Sequence, residues 1–299
     1  MRVFVTGATG FIGSAIVREL IDAGHRVVGL ARSDTSAASL TAAGAEVHRG
    51  ALDDRESLRR GAAASDGVIH AGFNHDFANF GAAAEMDRRA IETLGEALAG
   101  SHRPFVVTSG TALLAPGHIR TEEDALDPGS PSAVRLASEE MAMSFSARGV
   151  RVSVLRLPPS VHGNGDTHGF VPALIAVARA KGVSAYVGEG ANRWAAVHRL
   201  DAVRLFRLAL EAAPAGARLH GIGDEGVPVR DIAGAIGRQL KLPVTALSRE
   251  GAEAHFGWLA HLFSQDYPAS STLTQKQLGW RPVQAALIPD LEAGHYFNG

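Results

Sequence analysis

The 299-residue chain has no cysteine, little net charge and no long apolar run, and each of these absences excludes a class of protein. Without cysteine the chain forms no disulfide bond, no thiolate nucleophile and no cysteine-ligated metal site. A net charge of −2 provides no basic surface for nucleic acid or for an anionic membrane. No segment approaches the roughly 18 apolar residues of a membrane span, and no signal-peptide pattern precedes the apolar residues Val3-Phe4-Val5. We therefore expect a cytoplasmic protein that binds neither nucleic acid nor membrane.

Two kinds of catalytic centre are absent as well. The chain has no His-x-Glu, His-x-x-x-His or paired-acid ligand spacing, so we expect no metal ion. It also has no Gly-x-Ser-x-Gly sequence to expose a nucleophilic serine at a turn between strand and helix. The sequence therefore predicts neither metal-dependent chemistry nor acyl transfer through serine.

Short apolar runs alternate with helical segments through the first half of the chain. Strands are predicted near residues 2–6, 26–31, 45–48, 67–70, 104–108 and 151–156. The helices between them are predicted near residues 11–23, 35–43, 54–64, 81–99 and 131–148. This order predicts an α/β fold with a Rossmann-type, doubly wound parallel sheet.

The alternation breaks after Arg156, at the Pro158-Pro159 pair. We interpret residues 1–156 as a dinucleotide-binding domain, completed by segments that return from the C-terminal half. Residues 157–299 are interpreted as a smaller substrate-binding region. Helices in this region are predicted near residues 170–181, 201–212, 229–240 and 284–293.

A glycine-rich loop joins the first predicted strand to the first predicted helix. In this loop Gly7 permits a tight turn, Gly10 lets the backbone approach a pyrophosphate, and Gly13 allows close packing of helix on strand. The N–H groups at the start of the helix point toward the phosphates. Because a βαβ series follows, the spacing predicts a nicotinamide dinucleotide site. The loop residues predicted to contact the cofactor are Gly7, Thr9, Gly10, Phe11, Ile12 and Gly13.

The second predicted strand ends without an acid. An NAD-specific site carries an acid here for the ribose 2′-hydroxyl, whereas this chain has Arg32 and Ser33. A guanidinium and a hydroxyl are suited to a 2′-phosphate, so the sequence predicts NADP(H) as the cofactor. Two alternatives stay open: Arg32 is a solvated surface residue, or Asp34 turns back toward the ribose.

With these residues the chain resembles the extended type of the short-chain dehydrogenase/reductase superfamily, whose fingerprint is the Thr-Gly-x-x-Gly-x-x-Gly loop found at Thr6 to Gly13. Other similar segments follow in the family's order, at Gly50–Asp54, Ile69–Gly72, Arg156–Gly163, Val197–Asp201 and Leu278–Pro282. The resemblance implies further cofactor contacts along the adenine, the riboses and the nicotinamide, from Leu52, Ala71, Gly72, Leu157, Pro159 and Ser160.

The family's catalytic Tyr-x-x-x-Lys pair is missing. Aligning the chain on Glu139 places Pro131 at the tyrosine position and Arg135 at the lysine position. The resemblance is therefore to an atypical subgroup in which basic residues replace the pair. It implies that Arg135 binds the nicotinamide ribose and stabilises a developing oxyanion, although a guanidinium is a poor proton donor. The alternative is an exposed or ion-paired helix arginine.

Several polar residues are candidates for catalysis. Ser109 and Thr111 follow the fifth predicted strand, where the family places a substrate-orienting hydroxyl, and the sequence does not choose between them. His75 follows the fourth predicted strand and His162 lies beside the nicotinamide segment, so both are candidate proton donors and substrate contacts.

Other residues are candidates to line the pocket. Asn74 is a candidate to hold a substrate oxygen, and Asp76 to orient the neighbouring histidine. His168 and Trp194 are candidate pocket walls, whereas His198 is interpreted as a bridge between the two regions.

Together these features predict an enzyme, an NADPH-dependent reductase that transfers hydride to a C=O, C=N or activated C=C group of a small molecule. An imine suits the loss of tyrosine, because its reduction produces a neutral amine and no oxyanion. The alternatives are a catalytically silent NADP(H)-binding redox sensor and a sugar-nucleotide epimerase or dehydratase. The helices near 81–99 and 131–148 correspond to those through which family members pair, so the resemblance implies a homodimer.

Overall fold

A seven-stranded sheet lies at the centre of the computed structural model, which describes residues 1–76, 79–130 and 133–298. The strands are, in chain order, β1 (Arg2–Thr6), β2 (Arg26–Ala31), β3 (Glu46–Arg49), β4 (Gly67–His70), β5 (Pro104–Gly110), β6 (Arg151–Leu157), β7 (Ser160–His162), β8 (Ser184–Val187), β9 (Arg193–His198), β10 (Ala217–His220), β11 (Asp224–Pro228) and β12 (Val244–Leu247). The order across the central sheet is β10-β6-β5-β4-β1-β2-β3, and every neighbouring pair in it is parallel. The prediction of a doubly wound, Rossmann-type sheet is confirmed.

Helices connect the strands and cover the sheet. They are α1 (Phe11–Asp22), α2 (Asp34–Ala42), α3 (Arg55–Ala63), α4 (Phe80–Leu98), α5 (Leu136–Ser144), α6 (Phe170–Lys181), α7 (Arg199–Ala212), α8 (Val229–Leu240), α9 (Arg249–Phe256), α10 (Leu259–Phe263), α11 (Thr272–Leu278) and α12 (Leu287–Glu292). In the part of the chain that the structure describes, no helix is both long enough and apolar enough to cross a bilayer.

The first strand shows why the sheet needs helices on both faces. Successive side chains of a strand point to opposite faces. Val3 and Val5 pack on one face with Ile16 of α1 and Phe206 of α7, whereas Phe4 packs on the other face with residues of α3 and α4. Because the whole strand is apolar, both of its faces have to be covered.

The structure adds elements that the sequence patterns do not predict. β10 pairs with β6 and extends the predicted six strands to seven. Helix α5 begins at Leu136, not near residue 131, because the described residues before it, Ala133–Arg135, form a 3-10 turn. Pro131, at the expected tyrosine position, lies outside the described residues. The short helices α9, α10 and α11 were not predicted either.

The residues beyond β6 build a second apolar cluster around two small sheets, β11-β9-β7 and β12-β8. Trp194 of β9 packs edge to face against Phe170 and Phe263, with ring centroids 5.7 and 5.2 Å apart. Trp280 fastens the C-terminal segment to α7, because its Nε1 donates to the Asp201 carbonyl at 3.0 Å. The C-terminal half of the chain thus packs beside the sheet and also against it.

A buried histidine ends β10. His220 has no exposed surface, and its Nδ1 donates to the Ser270 carbonyl at 2.9 Å. Its Nε2 has no hydrogen-bond partner among the described residues. Burial lowers the pKa of His220 to about 4, although the Glu122 carboxylate acts to raise it. The folded protein therefore holds His220 neutral.

We expect His220 to make the protein less stable in weak acid. The imidazole has a pKa of 6.5 in the unfolded chain, so below that pH the unfolded state binds a proton that the folded state does not bind until about pH 4. The free energy of unfolding should fall by up to about 3 kcal/mol across this window. Urea unfolding at pH 7 and pH 5 should show a smaller fall for His220→Gln than for the wild type. Equal falls would mean that other groups control the acid sensitivity.

Candidate active site

The glycine loop lies directly against the end of β4. A Cβ on Gly7, whose φ is +66°, would lie 2.6 Å from the Ala71 carbonyl oxygen and 2.6 Å from the Gly72 Cα. A Cβ on Gly13 would lie 1.9 Å from the Gly7 carbonyl oxygen. Side chains at Gly7 and Gly13 would therefore push apart the loop, α1 and the strand edge.

Gly10 differs from the other two glycines. Its backbone is extended, and the one atom within 4 Å of a Cβ there is the Gly7 carbonyl oxygen, at 3.3 Å. The space beside Gly10 lies at the N-terminus of α1, where the first N–H groups have no partner within the helix. This is a cradle that a Cβ would partly fill, and its N–H donors fit a pyrophosphate.

A cation that sequence reasoning missed lies beside this loop. The Arg199 guanidinium stacks over the Phe11 ring at 4.6 Å, and its Nη1 donates to the Phe11 carbonyl at 3.3 Å. Its buried Nε has no partner among the described residues. The Val197–Asp201 segment resembles the family's sequence, but that resemblance does not reveal which of its side chains faces the glycine loop.

The end of β2 presents Arg32 and Ser33 at the surface. Ser33 caps α2: its Oγ accepts from the Ser36 N–H at 3.1 Å and donates to the Ser36 hydroxyl at 3.0 Å. Asp34, the acid whose turn toward a ribose was the alternative, pairs with Arg49 of β3 at 2.5 Å. Arg32 therefore extends from a strand end whose nearby acid is already paired.

The other predicted cofactor residues line the carboxyl ends of β4 and β6. The Leu52 side chain lies 3.2 Å from a Cβ placed on Gly72, so it borders the β4 edge. Leu157, the last residue of β6, is buried, and Pro159, which follows the strand, is half-buried. The buried Ser160 hydroxyl has no hydrogen-bond partner among the described residues.

A chain of buried polar contacts runs from the glycine loop to Arg135. Thr6 accepts from the Gly72 N–H at 3.2 Å, and its hydroxyl lies 2.8 Å from His70 Nδ1. His70 Nε2 lies 3.1 Å from Asp87 Oδ1, and Asp87 Oδ2 lies 3.5 Å from Arg135 Nη2. Burial acts to raise the pKa of Asp87, but the hydrogen bond from His70 and the positive charges lower it below the ordinary value. A buried carboxylate therefore faces Arg135.

The outer side of Arg135 faces an aromatic pair. Its guanidinium lies 4.2 Å above the Phe73 ring, and the His75 ring packs against Phe73 with centroids 5.2 Å apart. Loss of hydration and then the charge of Arg135 lower the pKa of His75. Asn74 and His75 are both exposed, while both Asp76 oxygens contact Asn79. The structure thus brings together Arg135 and His75 from two separate segments.

The two predicted hydroxyls are turned into the protein. Ser109 donates to Glu139 at 2.6 Å, and Glu139 also pairs with the buried Arg156 at 2.6 Å. Thr111 has no exposed surface and donates to the Leu157 carbonyl at 3.5 Å. Both hydroxyls therefore position the end of β5 and donate to protein groups.

The remaining candidates lie apart from the Arg135 cluster. His162 is fully buried, with its Nδ1 2.8 Å from Asp290 Oδ2 and its ring against His198 at 5.4 Å. Trp194 is fully buried in the second apolar cluster. His168 is exposed beside the Thr167 hydroxyl, at 2.7 Å.

Residues 3–220 match the sequence profile of the family described as "NAD dependent epimerase/dehydratase family". The chain is 51% identical to the uncharacterized protein C2A9.02 of Schizosaccharomyces pombe, over 99% of this chain and 100% of that protein. It is 29% identical to a 4-hydroxy-2-methyl-3-oxo-4-farnesyl-3,4-dihydroquinoline-1-oxide ketoreductase of Stigmatella aurantiaca, over 72% of this chain and 66% of that protein.

The fold is similar to that of a solved dTDP-glucose 4,6-dehydratase, DesIV of Streptomyces venezuelae, described with NAD and TYD bound. The TM-score is 0.79 at 22% identity, and the match covers 99% of this chain and 96% of that one. At this identity the likeness shows the shared fold.

We expect Gly10→Ala and Gly13→Ala to separate cofactor binding from folding. Alanine at Gly13 meets a backbone oxygen at 1.9 Å, so it should lower the thermal midpoint as well as NADPH affinity. Alanine at Gly10 meets the Gly7 carbonyl oxygen at 3.3 Å, a contact that a small shift relieves, so it should lower the midpoint less than Gly13→Ala does and still weaken NADPH binding. Thermal unfolding and fluorescence titration measure the two effects. Full NADPH affinity in Gly10→Ala would mean that the pyrophosphate does not lie there.

Proposed function

The chain belongs to the NAD dependent epimerase/dehydratase family, and we propose that it is an NADP(H)-dependent reductase that transfers hydride to the carbonyl carbon of a small molecule without the usual tyrosine. Membership confirms the predicted relation to extended short-chain dehydrogenases/reductases. The observation that carries the proposal is the pairing of a fixed cation, Arg135, with an exposed imidazole, His75, at the end of β4. The ketoreductase name of one relative favours C=O over C=N or C=C as the acceptor.

The residues of the cleft fit a nicotinamide dinucleotide. The Gly10 cradle and the N-terminus of α1 would hold the pyrophosphate, with Arg199 beside it. Leu52 would pack on the adenine, and the unpartnered Ser160 hydroxyl would meet the nicotinamide end. When bound, the reduced nicotinamide would supply the hydride.

Arg135 and His75 would divide the work that tyrosine does elsewhere in the family. As hydride reaches the carbonyl carbon, negative charge develops on the oxygen, and the Arg135 guanidinium stabilises it by charge and hydrogen bonding. Guanidinium keeps its protons at neutral pH, so the proton that completes the alcohol comes from His75. Asp87 holds Arg135 from the buried side, which fixes the direction of the cation.

NADP(H) is proposed as the cofactor because Arg32 is exposed at the end of β2, while Asp34 is paired with Arg49. The proposed assembly is a cytoplasmic homodimer through α4 and α5. Val134, on the turn that precedes α5, is 49% exposed and adds apolar surface beside these helices.

We expect Arg32→Ala to weaken NADPH binding and to leave NADH binding nearly unchanged. A charge-assisted hydrogen bond to the 2′-phosphate is worth roughly 1.5–3 kcal/mol, so the Kd for NADPH should rise by about 10- to 150-fold. Arg26→Ala is the matched control, since it removes an exposed arginine from the other end of the same strand. Equal losses of NADPH affinity in both variants would contradict the assignment of the 2′-phosphate to Arg32.

The direct test of function is oxidation of NADPH by a panel of aldehydes, ketones, cyclic imines and activated alkenes. We expect turnover with carbonyl compounds. Turnover with imines alone would move the proposal to C=N reduction. Tight NADPH binding without turnover of any acceptor would contradict a reductase and support a silent redox sensor.

The pH profile of turnover tests the roles of Arg135 and His75. A proton donor acts while protonated, so kcat should fall as pH rises through the His75 pKa, which lies below 6.5 in the wild type. Arg135→Met removes the positive charge that helps to lower this pKa, so the fall should move to higher pH. The rate itself should drop by about 10²–10³-fold, as when one oxyanion donor is removed.

His75→Gln should abolish the fall of kcat that accompanies deprotonation of His75. His25→Gln, at a largely buried histidine that pairs with Glu211, is the control. An unchanged fall of kcat in His75→Gln would assign the proton to another group, such as water.

A further inference from the structure

A cavity of about 180 Å³ opens beside the segment that follows β5. One wall comes from this segment, through Ala112, Leu114 and Ser130, and the opposite wall comes from Gln265 and Tyr267 near the end of α10. The cavity therefore lies between the sheet and the C-terminal cluster, the two bodies of residues between which substrates of two-part folds bind.

The cavity begins at Ala112, inside the 3-10 turn Thr111–Leu113 that follows β5. The Ser130 hydroxyl donates to the Ala112 carbonyl at 2.7 Å, and the Asp127 N–H donates to the Leu113 carbonyl at 2.8 Å. These bonds clamp the two sides of the 111–130 segment together. In the sequence, Arg135 follows Ser130 by five residues, so the cavity wall and the proposed cation come from neighbouring parts of the region between β5 and α5.

The charges around the cavity give an anion no fixed cation to bind. Among the described residues that line it, none is lysine or arginine, and the ionisable side chains are the Asp127 carboxylate, the His261 imidazole and the Tyr267 phenol. The cation behind this wall is Arg120, which stacks on Tyr267 at 4.9 Å and is fully buried. Its guanidinium nitrogens donate to backbone carbonyls, of Ala115, Pro268 and Asp266. Arg120 is therefore committed to the protein.

We propose that this cavity is the acceptor pocket and that it takes small, uncharged aldehydes or ketones. This inference rests on the proposed reductase function and names its substrate class. An apolar protein cavity of about 150 Å³ holds one benzene molecule, so a cavity of 180 Å³ suits acceptors of about that size. The Asp127 carboxylate repels the carboxylate of a keto acid. The cavity is too small for a nucleotide sugar and has no lysine or arginine to bind its diphosphate.

A matched pair of acceptors tests the charge. Hydroxyacetone and pyruvate are both methyl ketones. Beside the ketone, hydroxyacetone carries a neutral hydroxymethyl group and pyruvate carries a carboxylate. With NADPH at pH 7.5 we expect kcat/KM for hydroxyacetone to exceed that for pyruvate by at least about ten-fold, because a like charge opposes pyruvate. Asp127→Asn should narrow this ratio by raising kcat/KM for pyruvate. Glu123→Gln, at an exposed acid four residues earlier and outside the lining, should leave the ratio unchanged.

A second variant tests the place of the cavity. The atoms nearest to a Cβ on Gly129 belong to the Asp127 carboxylate, the closest at 3.3 Å, so Gly129→Leu enters the cavity without meeting the core. We expect it to raise KM for benzaldehyde more than for hydroxyacetone and to leave NADPH affinity and the thermal midpoint unchanged.

The outcomes separate the two proposals. Reduction of carbonyl compounds with equal efficiency for pyruvate, or with no response to Asp127→Asn beyond that of Glu123→Gln, would overturn the assignment of the pocket and leave the reductase standing. An unchanged KM for benzaldehyde in Gly129→Leu would likewise overturn the assignment of the pocket. Failure of every carbonyl compound to oxidise NADPH would overturn the reductase itself, and the pocket assignment with it.

Discussion

The candidate site depends on the close approach of two backbones, the glycine loop after β1 and the end of β4. Gly7 lies so near Ala71 and Gly72 that a Cβ there would overlap both. The Thr6 hydroxyl holds the Gly72 N–H across the same gap. This contact sets the path of the chain after β4, and that path delivers Phe73 and His75 to the carboxyl edge of the sheet. The absence of a side chain at Gly7 thus helps to place the His75 imidazole, which belongs to a different segment of the chain.

The same contact extends inward as a chain of buried polar groups. Thr6, His70 and Asp87 are almost fully buried, and each has a polar partner, so none carries the cost of an unpaired group. The chain ends at Arg135, which is held between a carboxylate and the Phe73 ring. Removing one member would leave a buried charge or donor without its partner, which is more costly than losing the bond alone. A continuous chain of buried polar contacts therefore connects the cofactor loop with Arg135, the proposed catalytic cation.

The central fold was predictable because its signals are local. Glycine spacing, apolar strands such as Val3 to Val5 and helical periods are read within a few residues, and they predicted six of the seven sheet strands. β10 escaped prediction although β3, which is equally short and mixed, did not, because β10 lies beyond Arg156, where the regular alternation of strands and helices breaks. The site was harder, since Asp87, Arg199 and Tyr267 acquire their roles from contacts between distant segments. Likewise, nothing local indicates that Ser109 faces Glu139 or that His162 faces Asp290.

The division of labour between Arg135 and His75 follows from a physical conflict. A single phenol stabilises the oxyanion and also gives up its proton, whereas a guanidinium does only the first. Bringing an imidazole near the guanidinium makes the imidazolium a stronger acid, because the positive charge lowers the pKa of His75, but it also reduces the protonated fraction at neutral pH. A hydrogen bond with the Phe73 backbone acts in the opposite sense and raises the pKa of His75. Asp87 holds the guanidinium from its buried side, so the carboxylate fixes the position of the charge that acts on His75.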